Sequence, residues 1–206
     1  LPTAAPLIIN GDFAVAQRST SATGKTTSGY YATDRNKMTI GSIGTYTIAQ
    51  ESLTSGAAYN AGFSNAFRID CTTADASPAA SDEISFDYHM EGQDLQLFKK
   101  GTANAEKYTL AFWVKSVKTG TYICELRDFD NNRTVSQAYT IDSGSTWEKK
   151  ILNFPADTTG ALDNDNAASL AVSFFLAVSS TYSSGSLATV WESRTNANRA
   201  VGQVNL

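Results

Sequence analysis

Glu83-Ile84-Ser85-Phe86-Asp87-Tyr88-His89-Met90 decides the reading of the fold. Apolar Ile84, Phe86, Tyr88 and Met90 alternate with polar Glu83, Ser85, Asp87 and His89. That period of two belongs to a strand with one face on a core and the other toward water. The same rhythm recurs along the chain. Tyr108, Leu110, Phe112 and Val114 alternate with Thr109, Ala111, Trp113 and Lys115, and Leu170, Val172, Phe174, Leu176 and Val178 form the longest such face. Shorter runs fall at Leu7–Asn10, Lys37–Ile40, Thr45–Gln50, Phe67–Cys71, Tyr122–Leu126, Thr134–Ile141, Trp147–Phe154, Leu187–Trp191 and Val201–Leu206.

Turn chemistry separates these runs: Asn10-Gly11-Asp12, Lys118-Thr119-Gly120, Asp130-Asn131-Asn132 and Asp142-Ser143-Gly144. Only Gly92–Lys100 reads as helical, with Leu95 and Phe98 three apart and Gly101 as the stop. Ten or more short strands and at most one short helix predict an all-β fold, a two-sheet antiparallel jelly-roll β-sandwich. No linker or charge block divides the chain. Residues 1–9 read as an N-terminal arm or first strand, and residues 10–206 as the sandwich domain.

Charged residues make up 17% of the sequence, below the usual level of about 25%, and Ser and Thr take their place. Net charge is −4, with no basic face, so nucleic acid is not an expected partner. The adjacent pairs Lys99-Lys100 and Lys149-Lys150 read as solvated ends of elements. The longest apolar stretch, Leu170–Val178, is far short of the roughly 20 residues that span a bilayer, so no membrane insertion is expected. Leu1-Pro2-Thr3 has neither the basic region nor the apolar run of a signal peptide. Alternation turns the thiols of Cys71 and Cys124 inward, and both are expected to be free and buried.

A single histidine, His89, limits the catalytic options. It lies on the polar face of its strand, with no Gly-x-Ser-x-Gly elbow anywhere to supply a nucleophile and too few His and Cys for zinc. Glycosidases need only two carboxylates, but none of the twenty acids is singled out. No catalytic residue is assigned, and the chain is expected not to be an enzyme. Asp163-Asn164-Asp165-Asn166 and Asp128-x-Asp130-x-Asn132 concentrate hard oxygen ligands, which makes Asp163 and Asp165 candidates for a structural calcium; plain Asx turns are the competing reading. Tyr30, Tyr31, Tyr182 and Trp191, in or beside Ser/Gly/Thr-rich segments, are candidates for stacking on sugar rings, with packing or a subunit contact as the alternative.

Asn10-Gly11-Asp12-Phe13 resembles the opening of carbohydrate-binding modules with the galactose-binding-like jelly roll. Leu110–Ser116 resembles their central strand and Trp147-Glu148-Lys149-Lys150 a later one. More closely, the chain resembles a recurring module of bacteriophage tail fibres and other virion structural proteins. Asn10–Arg18, Glu91–Leu95 with Lys99–Asn104, Asp157–Asn166 and Asn198–Leu206 carry this likeness over nearly the full length. One departure is Asn36 after Thr33-Asp34-Arg35, where that group often has an aromatic. Modules of the group also usually run on past Val204-Asn205-Leu206.

The resemblance implies a virion component of a tail fibre, appendage or head decoration, assembled in the bacterial host cytoplasm. Expected partners are other virion proteins and itself, as a homo-oligomer with a trimer favoured, and host surface glycan. The alternatives are a free carbohydrate-binding module of a polysaccharide-active enzyme, and a glycanase with an acid pair that the sequence does not reveal. Folds of this kind serve many roles, so the site must decide.

Overall fold

A computed structural model describes residues 7–205. Among the described residues there are ten strands: β1 (Ser21–Tyr30), β2 (Asn36–Ser52), β3 (Asn65–Thr73), β4 (Glu83–Glu91), β5 (Tyr108–Val114), β6 (Gly120–Asp128), β7 (Arg133–Ile141), β8 (Glu148–Phe154), β9 (Ala168–Val178) and β10 (Glu192–Ser193). Every pairing is antiparallel. The large sheet runs β1-β2-β4-β9-β6-β7-β10, with β3 on the second half of β2, and β5–β8 form a separate ribbon. The architecture is the all-β, two-sheet sandwich that the alternation predicts. No helix among the described residues is long and apolar enough to cross a membrane.

β2 turns the large sheet over on itself. Its first part, Asn36–Gly41, pairs with β4, and its second, Thr45–Ser52, pairs with β3. Between them Ser42 and Gly44 take left-handed φ values of 58° and 73°. A side chain on Gly44 would put its Cβ 2.7 Å from the Thr73 carbonyl oxygen, so glycine is required there. β1 follows β2 round the bend through three shifts of register.

The core has two inner parts. Under the β5–β8 ribbon, Tyr108, Leu152 and Phe154 meet Tyr122, Leu126 and Leu170 of the large sheet. In the fold of β2, Met38, Ile40, Tyr46 and Ile48 close on Ile84. Phe86 joins the two, stacked on Phe174 at 5.9 Å and tilted against Phe67 at 4.8 Å. Each such buried side chain stabilises by about 1.5–3 kcal/mol. A third cluster lies on the opposite face, where Ala200, Tyr182 and Leu187 of the C-terminal segment cover Ile123, Phe175 and Val178.

Several expectations need correction. Leu7–Asn10 is not a strand: Leu7 and Ile8 pack on the first core, and the Ile9 N–H donates to the Tyr88 hydroxyl at 2.7 Å. The rest of the proposed arm, residues 1–6, lies outside the described residues, as does Leu206. Residues 201–205 form turns tied down by side chains, not a strand. Gln203 donates to the Phe175 carbonyl and accepts from the Ile123 N–H; Asn205 does the same for both backbone groups of Val178. Leu187–Trp191 runs beside β7 with the Ser136 N–H bonded to the Ala188 carbonyl, and pairing as a strand begins only at Glu192.

Helix appears in more places than expected, each very short. Gly92–Lys100 resolves into two 3-10 turns, Gly92–Asp94 and Gln96–Phe98, and the helices α1 (Ala57–Asn60) and α2 (Ser180–Ser183) are single turns. Cys124 is buried and free, whereas Cys71 is free but exposed, near the end of β3, an edge strand whose last three residues are all exposed. Lys100 is not solvated. Its buried ammonium ion-pairs with Asp128 and Asp157 and donates to the Thr159 and Gly160 carbonyls, while Arg133 grips Asp157 with two hydrogen bonds. This network joins the Lys99–Asn104 and Asp157–Asn166 segments and explains why both carry such marked sequence.

Candidate functional site

The segment Asn10–Arg18 wraps round Asp34. The Asn10 side chain accepts from the Val15 N–H and donates to the Val15 and Asp34 carbonyls. The Asp34 carboxylate accepts from the Gln17 N–H at 3.1 Å and from Arg18 at 3.0 Å. This wrap makes one wall of an open groove of about 610 Å³, whose other wall carries Tyr30, Arg35, Glu91 and Asn166. Tyr30, at the end of β1, is 42% exposed, and the Arg18 guanidinium sits 5.7 Å from its ring centre. Arg35 contacts Glu91 along that wall at 3.5 Å.

The groove adjoins a smaller cleft of about 90 Å³ on the same face of the sheet, and His89 lines both. Strand register builds this cleft. Lys37, Asp87, Ser173 and Glu125 form one row across β2, β4, β9 and β6, and His89, Ala171 and Arg127 form the next. Long side chains from β4 and β6 therefore flank small ones on β9, which leaves a hollow. The C-terminal segment closes one end with Arg199.

The charges of the cleft are coupled. Glu125 is fully buried and receives Arg199 through Nε and Nη2 at 2.7–3.1 Å, together with the Thr134 hydroxyl at 2.6 Å. Burial alone would raise its pKa, but Arg199 and Thr134 outweigh this and hold the carboxyl below its ordinary value. Asp87 accepts from the Thr39 hydroxyl at 2.6 Å and the Ser85 hydroxyl at 3.0 Å. Glu83 is raised, chiefly by burial, against the pull of Arg199. His89 meets Phe129 edge-on at 5.3 Å. Burial lowers its pKa; Asp87 pulls the other way, and Lys37 and Arg127 reinforce the lowering.

Of the four candidate aromatics, only Tyr30 lies in the groove. Tyr182 sits behind the cleft with the Arg199 guanidinium 5.2 Å from its ring centre. Tyr31 packs on the β2 core, donates to the Thr27 carbonyl and carries Lys25 over its ring. Trp191 is buried at 9% exposure, its indole N–H donates to the Pro155 carbonyl and Lys100 lies 5.1 Å from its ring centre, so it presents no platform to solvent.

Asp163 and Asp165 hold a turn. The Asp163 N–H donates to Asp130, and the Asp165 carboxylate accepts from the Ala167 N–H. Asp128 is engaged by Lys100 and Asn131. Among the described residues no three His, Cys, Asp or Glu side chains come together in a metal-holding group.

No family model matches the chain, and no curated protein does so. One solved structure to which it is similar is the enzymatically active domain of tailspike protein 4 of bacteriophage CBA120. Identity is 16%, over 82% of this chain and 18% of that one, with a TM-score of 0.42. The chain thus spans less than a fifth of the length of that solved domain.

Proposed function

We propose that this chain is a non-catalytic glycan-binding module of a bacteriophage virion, part of a tail fibre, appendage or head decoration, with the Tyr30 groove as its contact surface. The observation that carries the glycan part is the placement of a half-exposed Tyr30 ring in a groove otherwise edged by Arg18, Asp34, Arg35, Glu91 and Asn166. A pyranose face stacks on a flat ring while charged and amide groups take its hydroxyls. The virion part is supported by the resemblance over Asn10–Arg18, Lys99–Asn104, Asp157–Asn166 and Asn198–Leu206. Binding is weak per site and gains strength from several copies in a homo-oligomer, a trimer on the same resemblance.

Lack of catalysis is supported by the acids of the neighbouring cleft. Glycoside hydrolysis needs two carboxyl groups free to act on one bond. In the cleft Glu125 is engaged by Arg199 and Asp87 by two hydroxyls, and in the groove Asp34 is engaged by Arg18 and the Gln17 N–H and Glu91 by Arg35 and Gln93, which leaves Glu83.

The test is Tyr30→Ala against a panel of bacterial capsular and O-antigen polysaccharides. Because the ring is exposed, the variant keeps its stability within about 0.5 kcal/mol. It should lose retention of any polysaccharide the parent protein binds. Unchanged retention would remove the groove from the account. Presence of the protein on purified virions separates the virion module from a free module of an enzyme.

A further inference from the structure

Arg127, Arg199 and Glu83 each bring to the cleft a buried polar atom with no hydrogen-bond partner: Arg127 Nε, Arg199 Nη1 and Glu83 Oε2. A fourth such atom, Arg194 Nε, belongs to a guanidinium close enough to feel the charges of Arg127, Arg199 and Glu83. Arg199 is 4% exposed, so its free N–H is deep in the wall and not on the surface. Arg199 Nη1 and Glu83 Oε2 lie 3.5 Å apart, an ionic contact without hydrogen-bond geometry. Folded proteins satisfy nearly all buried polar groups, so several unpaired ones round one hollow need a cause.

The charges point the same way. Lys37, Arg127 and Arg199 face the cleft together with Glu83 and the hydroxyl-bonded Asp87, and Glu125, the acid that best neutralises Arg199, takes only its Nε and Nη2. Arg127 and Arg194 are both lowered by burial and next by the charge of Arg199, with Glu125 and Glu83 pulling the other way, so positive charge is crowded round the cleft. The Arg127 guanidinium carbon sits 4.5 Å from the Phe129 ring centre, a cation–π contact that steadies the group beside the cleft. What fits must offer an anionic acceptor to two guanidinium groups and a hydroxyl donor to Glu83. The cleft, at about 90 Å³, has room for several waters where one needs about 10–15 Å³. A carboxylate with its neighbouring hydroxyl is of that size, and a planar guanidinium edge meets a carboxylate with two parallel hydrogen bonds.

We propose that the cleft between β4, β9 and β6 binds the carboxylate of an acidic sugar residue, with Arg127 and Arg199 holding the anion and Glu83 accepting from an adjacent hydroxyl. The inference rests on the glycan reading of the adjoining groove: His89 lines both spaces, so a polysaccharide along Tyr30 can lower one acidic residue into the cleft.

Titration calorimetry on the full chain tests this with short oligomers of glucuronate, galacturonate and sialate, each beside its neutral methyl ester, and with acetate. At least one acid should bind ten-fold or more tightly than its ester, with acetate failing to compete at equal concentration. Arg127→Met, which keeps contact with Phe129, should erase that preference, as should Ala171→Leu, which fills the floor. Competition by acetate as strong as by the sugar would make the site a simple anion site and overturn the sugar part. Equal binding of acid and ester, or no binding of any acid at millimolar concentration, would overturn the whole. Failure here with Tyr30-dependent retention of neutral polysaccharide leaves the groove reading standing. An acid preference lost in Arg127→Met but untouched by Tyr30→Ala leaves the cleft and removes the groove.

Discussion

Tyr30 and Trp191 look alike in sequence, each an aromatic among small polar residues, yet one is half-exposed and the other is core. The difference is long-range: Trp191 is drawn in by Tyr108, by the Pro155 carbonyl and by the charge of Lys100. Trp191→Ala should therefore cost about 3–5 kcal/mol in a denaturant titration, a loss that Tyr30→Ala does not share. His89 was placed on the polar face by alternation alone, but its part in a cleft was not legible, since that depends on Ala171 lying opposite it. Glu148 gives a pH-dependent test. Its carboxylate accepts from the Asp142 and Ser143 N–H groups and pairs with Lys150. Lys150 and then the backbone donors hold its pKa down at about 2. A depressed carboxyl stabilises the fold above its unfolded value of about 4.5 and loses that effect as pH falls through the folded value. Glu148→Gln should lower the melting temperature at pH 6, and the gap to the parent protein should close between about pH 4.5 and 2.

At the scale of elements, strands with large alternating side chains were legible and those without them were not. β4, β5 and β9 announce themselves, whereas β1 is Ser-Ala-Thr-Gly-Lys-Thr-Thr-Ser-Gly-Tyr and becomes a strand only because β2 offers it an edge. β2 reads as two runs, Lys37–Ile40 and Thr45–Gln50, because the bend at Ser42–Gly44 interrupts the pattern without ending the strand. Gly44→Ala should lower stability by at least about 1 kcal/mol, since the new methyl meets the Thr73 carbonyl and the backbone is left-handed. A chemical denaturation midpoint reads this directly, and an unchanged value would deny the bend its role. The acidic Asp163–Asn166 stretch is likewise explained locally, by N–H groups donating to Asp130 and Asp165. Calcium and chelator should leave the melting temperature unchanged, because a turn closed by its own donors needs no cation; a rise with calcium would show a site that binds only the folded chain.

For the whole molecule, the sandwich leaves the two faces of its large sheet unequal. One face is core, beneath the β5–β8 ribbon and in the fold of β2. The other carries the charged rows of β4, β9 and β6 and is only partly covered by the C-terminal segment. Fold class was legible because alternation is local, and the location of the proposed binding surface was not, because it arises from which strands become neighbours. The central claim is that this surface holds a glycan without cutting it. Size-exclusion chromatography of bacterial polysaccharides after long incubation with the purified protein tests both halves at once. The account expects at least one polysaccharide to co-elute with the protein at undiminished chain length. A polysaccharide shortened by the protein, or none retained across the panel, would contradict it.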